Sequence, residues 1–268
     1  MNKRVFANRL AGTALGLVLA TPFAAAQAPK TPPAGTSLTM TLGPGWSSNP
    51  GELPGRQKGD GYFSLDTTLS HRWALWDGGA LTLSGSGYSE LYVRDDSNGI
   101  HRLASSLTLS QRWQEATFTL GVSARTAANQ RLTAHDSASQ DIALGISRSF
   151  TLAEKLAFTI TGGASRRFYQ DGAEHQLRAR AGASLARTID KWTFRIGGGF
   201  SYALEDKTPL LPRINDRTIS ANIGATYEWE KDREVSLKMT WSRTYSSLPI
   251  NRFRTFGIVP QAAATLRF

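Results

Sequence analysis

The chain has 268 residues, 40% of them hydrophobic, no cysteine and a formal charge of +10. Without cysteine it has no disulfide framework, no thiolate metal site, no cysteine nucleophile and no cysteine-lipidated anchor. After the first residues no apolar run reaches the roughly 20 residues that a spanning helix needs, which excludes a helical membrane protein. A barrel, whose strands are apolar only at alternate positions, stays allowed.

In chain order, Lys3, Arg4 and Arg9 form a basic start, followed by the short apolar stretch GTALGLVLATPFAAA. Small residues then offer a cleavage site after Ala26 or Ala28. This pattern predicts a secretory signal peptide over residues 1–26 rather than a membrane span. Its removal takes away three basic groups and no acid, leaving a charge of about +7. Residues 27–36, QAPKTPPAGT, read as a short Pro-rich lead-in in the periplasm.

From residue 37 to residue 268 helical periodicity is nearly absent. Period-two alternation recurs instead, in about twelve segments bounded by turn chemistry. The predicted strands lie near 37–46, 61–75, 80–94, 101–113, 117–127, 140–150, 156–169, 175–187, 192–204, 217–229, 234–245 and 255–268. In FSLDTTLSHRW, Phe63, Leu65, Leu69 and Trp73 share one face, with Ser64, Asp66, Ser70 and Arg72 on the other. In WTFRIGGGFSY, Trp192, Phe194, Ile196, Phe200 and Tyr202 stand against Thr193, Arg195 and Ser201. Successive strand side chains point to opposite faces, so each segment has a greasy and a polar side.

The connections alternate. Short ones fall at 76–79, 114–116, around Ala153–Glu154, at 188–191 and at 230–233. Long polar ones fall at about 47–60, 95–100, 128–139, 170–174, 205–216 and 246–254. A soluble sandwich gives no reason for that alternation. A transmembrane barrel does, with short periplasmic turns and longer extracellular loops. The predicted fold is therefore all-β, an antiparallel up-and-down transmembrane β-barrel of about twelve strands occupying residues 37–268.

The aromatics agree. Trp73, Trp113, Phe150, Trp192 and Trp229 lie beside short turns on the apolar face, while Phe168, Tyr202, Tyr245 and Phe256 lie near long loops. Two such belts are the girdles of an outer-membrane barrel. Aromatics filling a sandwich core would stand mid-strand instead.

The opposite face lines the barrel. It is rich in small polar residues such as Thr82, Ser84, Ser106, Thr108, Thr119, Gly121, Ser220 and Asn222. Twelve strands with so many small inner residues predict an aqueous passage unless a loop folds inward. By phase, Arg72, Arg94, Arg102, Arg112, Arg125, Arg167, Arg178, Arg180, Arg195 and Lys238 point into it, against Asp66, Glu90, Asp141 and Glu228. Excess guanidinium in a narrow pore attracts anions. The alternative use of these charges is an Arg–acid network that stiffens the wall without selecting solutes. Loop arginines Arg131, Arg213, Arg217, Arg252 and Arg254 are expected to meet lipopolysaccharide phosphates or solvent.

Catalytic signals are sparse. His71 falls on the lipid-facing phase, and His101, His135 and His175 lie in or beside outer loops. His135-Asp136-Ser137 has triad residue types, but adjacent positions do not form a relay by themselves. No His spacing supports a metal site. No enzyme activity, metal or cofactor is expected, and arginines spread over many strands do not point to nucleic acid.

Signal peptide, alternating strands and the closing ATLRF together resemble a Gram-negative outer-membrane β-barrel protein. In that class the last strand resembles a recognition signal for the barrel-assembly machinery, which the resemblance places at Leu266 and Phe268, alternating with Ala262 and Ala264. Pro260 departs from the pattern, because it removes a ladder hydrogen bond. Twelve-stranded members include small anionic-sugar porins, nucleoside channels, a phospholipase and a lipid A deacylase. The arginine-bearing interior is loosely similar to the acidic-oligosaccharide channels. TWSRTYSSLPINRFRTF is also similar to the final hairpin of barrels that translocate surface lipoproteins. The resemblance implies a monomeric, porin-like outer-membrane channel for small, preferably anionic solutes, with membrane lipid, lipopolysaccharide and the assembly machinery as partners. A barrel assisting export or surface assembly of a partner, or a lipid-modifying enzyme, is the alternative.

Overall fold

A computed structural model describes residues 34–52, 58–133, 135–170, 175–206 and 213–268, without the side chains of residues 135, 136 and 250. The predicted signal peptide and most of the lead-in lie outside the described residues.

The twelve expected strands are present: β1 Gly35–Ser47, β2 Asp60–Trp76, β3 Gly79–Tyr92, β4 Ile100–Trp113, β5 Ala116–Asn129, β6 His135–Ala153, β7 Leu156–Tyr169, β8 Gln176–Ile189, β9 Trp192–Glu205, β10 Ile214–Glu230, β11 Arg233–Ser246 and β12 Phe253–Arg267. Each pairs antiparallel with its sequence neighbours, and β1 pairs with β12 to close the barrel. Closure leaves no exposed sheet edge. Several boundaries differ from those expected by a few residues. β1 starts at Gly35, inside the expected lead-in, and β6 starts at His135, so the connection expected over 128–139 shrinks to 130–134. Ser137, Ser139 and Asp141 continue the alternation there and keep the ladder with β5 going.

Every connection at one end has two residues: 77–78, 114–115, 154–155, 190–191 and 231–232. Each contains a residue in the left-handed region, Gly78, Gln114, Lys155, Asp190 or Asp232, with φ between 51° and 70°. Backbone twist of that kind suits two-residue hairpins. The longer connections all lie at the other end.

Alternation sorts the side chains as the pleat requires. Leu83, Leu107, Leu120, Leu144, Ile160, Ile196, Ile223 and Leu237 are exposed on the outer wall. Across the same strands, buried polar residues such as Ser64, Glu90, Ser139, Arg167, Gln176 and Thr226 face inward. The molecule is therefore apolar outside and polar inside, the inverse of a soluble domain.

At the seam of β1 and β12 the pairing runs from Ser37↔Arg267 to Leu42↔Ala262, then resumes only at Trp46↔Ile258. Continuing the register across that gap sets Pro44 opposite Pro260. Neither has an N–H to give, so the ladder lapses there without shifting register. Pro260 still pairs on its other side, with Leu237 of β11. Gly43 fills the gap, since a Cβ there would stand 2.1 Å from the carbonyl oxygen of Pro260.

Candidate lumen site

A cavity of about 650 Å³ occupies the lumen. It exists because inward positions of consecutive strands carry little or no side chain: Gly121, Ala143, Gly145, Gly163, Gly182 and Gly199 all line it. Thr108, Thr119, Thr161, Ser201, Ser220, Asn222, Thr240 and Ser242 surround this open belt with hydroxyl and amide groups.

Charge on the wall is clustered. On β5–β8, Asp141 accepts from Arg125 Nη2 and, at 2.8 Å, from Arg167 Nε. Arg125 Nε also donates to Ser139 Oγ at 3.1 Å. One carboxylate thus serves two guanidinia. Arg178 donates to Gln176 Oε1 at 2.8 Å, and Gln176 Nε2 donates to Glu205 Oε1 at 3.0 Å. Arg180 reaches Ser165 Oγ at 3.3 Å, across the space left by its register partner Gly163.

On β3, toward the long-connection end, the wall carries a buried acid. Glu90 is 2% exposed and accepts from both Tyr88 Oη and Tyr92 Oη. The guanidinium of Arg102 lies 5.7 Å from the Tyr88 ring centroid. Glu205 of β9 and Asp216 of β10 line the cavity as well, beside the Gln176–Arg178 pair rather than beside Glu90. Glu52, from the connection between β1 and β2, folds into the lumen and also lines the cavity. Its backbone N–H donates to the Asn49 carbonyl at 3.2 Å, and its Oε2 is buried with no hydrogen-bond partner among the described residues. Burial, followed by nearby Glu90 and only partly offset by Arg102 and Arg178, pushes its carboxyl up to about 8.

Of the ten basic residues expected in the lumen, Arg178, Arg180 and Lys238 line the cavity itself. Arg125 and Arg167 are drawn into the Asp141 cluster and Arg102 stands beside Tyr88. Arg195 and Lys238 flank Gly224 from the two neighbouring strands, nearer the tight-turn end. Arg72 and Arg112 lie at that end, Arg112 Nε donating to the Gln114 carbonyl at 3.3 Å. Arg94 lies beyond the end of β3, exposed in the 93–99 connection, so it stands outside the lumen wall.

Four acids had no place in the sequence reading of the wall: Glu52, Glu205, Asp216 and Glu234. Glu205 and Asp216 sit at strand ends that the expected 205–216 loop absorbed, and Glu52 comes from a loop with no period to read.

Trp73, Trp113, Trp192 and Trp229 are exposed on the outer wall toward the tight-turn end, with Phe150 on the same phase. Phe168, Tyr202, Tyr245 and Phe256 point outward at the other end. Leu266 and Phe268 also face outward, and Phe268 exchanges backbone hydrogen bonds with Thr36. His71 faces outward, its Nδ1 2.7 Å from Thr36 Oγ1 and its ring 4.4 Å from that of Trp73. The His135 and Asp136 side chains lie outside the described residues. Among the described residues no group of acids and histidines could hold a metal ion.

His101 is different. It is the register partner of Ser89 on the outward face, with Nδ1 2.9 Å from Ser89 Oγ and Nε2 3.0 Å from the Gln130 carbonyl oxygen. The pair borders an outer-wall depression of about 370 Å³ that Leu65, Gly87, Leu103 and Leu132 also line.

The sequence matches no protein-family model and no curated protein. Solved structures do match. The COG4313 outer membrane channel from Pseudomonas putida F1 superposes with a TM-score of 0.57 at 15% identity, over 88% of this chain and 97% of that one. A bacterial polysaccharide outer membrane secretin superposes with a TM-score of 0.50 at 8% identity, over 88% of this chain and 99% of that one. This chain has the outer-membrane β-barrel fold. In barrels of that fold, tight turns face the periplasm and the longer connections face the exterior.

Proposed function

We propose that the protein is a monomeric outer-membrane channel that passes small polar solutes and prefers anions. The observation that carries this reading is the lumen cavity, open at mid-height because glycines face it and bearing Arg178, Arg180 and Lys238 on its wall. A fork of guanidinium donors beside open space suits a carboxylate or phosphate, which it can bind bidentately. Glu90, Glu205 and Asp216 oppose that field, the first two held in place by neutral donors, the two tyrosines and Gln176, that leave their charge intact. Glu52, with its raised pKa, is largely uncharged at neutral pH. The resulting preference is graded, not absolute. Export by a signal peptide, insertion by the barrel-assembly machinery and residence in the outer membrane belong to the same reading, supported by the outer-membrane barrel fold. The test is conductance across a planar bilayer, with the reversal potential measured under a salt gradient. Absence of conductance removes the channel reading, and a cation-selective reversal potential removes the anion preference.

A second reading, lipid modification, has Ser89 and His101 in its favour. Nε2–H donation to Gln130 leaves Nδ1 to accept the Ser89 proton, and the pair opens on an apolar depression of the outer wall. Covalent labelling of Ser89 by a lipid-tailed fluorophosphonate, lost in H101A, supports this reading. No labelling of the wild-type protein discards it.

A further inference from the structure

Three arginines stand together on the outward face at the extracellular end of the last three strands. Arg217 of β10, Arg243 of β11 and Arg254 of β12 are all exposed. Arg243 and Arg254 are direct register partners. Arg217 pairs with Tyr245, two residues from Arg243 on the same face, so it is the diagonal neighbour. Directly opposed residues have Cβ atoms about 5 Å apart and diagonal ones about 7–8 Å, so the three guanidinia share one patch. Like charges directly opposite one another destabilise a sheet.

Two other arginines at this end are neutralised locally. Arg131 pairs with Asp96, and Arg166 with Asp206. Among the described residues no ion pair involves Arg217, Arg243 or Arg254. Their outward neighbours in the extracellular halves of these strands include Asn215, Ile219, Trp241 and Phe256, and no carboxylate. The β9–β10 connection opens with Asp206, whose carboxylate is taken by Arg166. Rings brace two of the cations, with Arg243 4.7 Å from the Tyr245 centroid and Arg217 6.0 Å from that of Tyr202. The charges are thus fixed at the membrane boundary, where water is scarcer and an uncompensated cation is costly. An anion carried by the membrane itself would satisfy them.

We propose that Arg217, Arg243 and Arg254 form a binding site for the phosphate groups of an outer-leaflet lipid headgroup. The guanidinium forks take the phosphate oxygens, and the acyl chains lie down the wall over Ile219, Trp241 and Phe256. The inference rests on the outer-membrane reading, because it needs this face to meet lipid. It is independent of solute passage, so conductance is measured in the same preparations.

The test uses the full mature chain in detergent, titrated by native mass spectrometry with bisphosphorylated lipid A, dephosphorylated lipid A and inorganic phosphate. Wild type, R243A/R254A and R131A are compared, with heat-shifted gel mobility confirming that each is folded. The expected result is retention of bisphosphorylated lipid A by wild type and R131A. Its affinity should fall about tenfold or more in R243A/R254A, as loss of charge-assisted hydrogen bonds implies, with conductance unchanged. Equal retention of the dephosphorylated lipid, equal retention by R243A/R254A, or competition by millimolar inorganic phosphate would overturn the proposal.

Discussion

Glu52 offers the sharpest test of how the mouth at the long-connection end is built. Segment 48–52 enters the lumen, and Glu52 is 8% exposed with one carboxylate oxygen unpartnered. Its carboxyl is raised from 4.5 to about 8, chiefly by burial. A carboxyl raised in the docked state favours docking fully below its ordinary value, less as pH climbs, and least above the raised value. The window is therefore pH 4.5 to 8, and the difference sets a ceiling of roughly 5 kcal/mol on the loss. Lumen water lowers that figure, but even a third of it changes the docked-to-undocked ratio by more than about tenfold. Single-channel conductance recorded from pH 6 to pH 9 should rise as the segment leaves the mouth. E52Q removes the ionisation and should flatten the profile across the same window. A wild-type conductance that does not change, or an E52Q profile that matches wild type, would show that ionisation of Glu52 does not release the segment.

Two further outcomes follow from the wall. Gly43→Val drives a side chain into the Pro260 backbone where a Cβ already stands 2.1 Å from the carbonyl oxygen. Backbone cannot yield as a flexible side chain does, so β1–β12 closure should lose about 3 kcal/mol; an unchanged melting temperature by circular dichroism would contradict this. Asp141→Asn removes the carboxylate that Arg125 and Arg167 share. It should cost about 1–3 kcal/mol in urea unfolding and move the reversal potential further toward anions; no movement would mean the pair does not feel the permeating ion.

Most of the fold was legible because a barrel writes its period into every strand. The run from Leu103 to Trp113 and the run from Trp192 to Tyr202 each fix a phase that packing does not override, since one side must meet an apolar surface and the other must not. Pro260 was the exception in the sequence. Its partner in the anomaly, Pro44, sits more than two hundred residues away, and only closure brings the two opposite each other. The lumen was less legible than the wall. Phase places Arg178 and Arg180 inward, but the opposing acids come from strand ends and from a loop. Glu205 and Asp216 fell inside an expected connection, and Glu52 docks through tertiary burial that no local pattern encodes. His101 shows the same limit in reverse: its partner Ser89 lies on the preceding strand, twelve residues earlier, and register alone joins them.

On the proposed channel function, the glycine-floored lumen conducts and its arginines set the sign of its preference. The most direct measurement is the reversal potential of the purified protein in a planar bilayer under a tenfold potassium chloride gradient, for wild type and R178A/R180A. An anion-selective potential that collapses toward zero or reverses in R178A/R180A, with conductance retained, is the predicted result. A potential that is already cation-selective in wild type, or that R178A/R180A leaves unchanged, would contradict it.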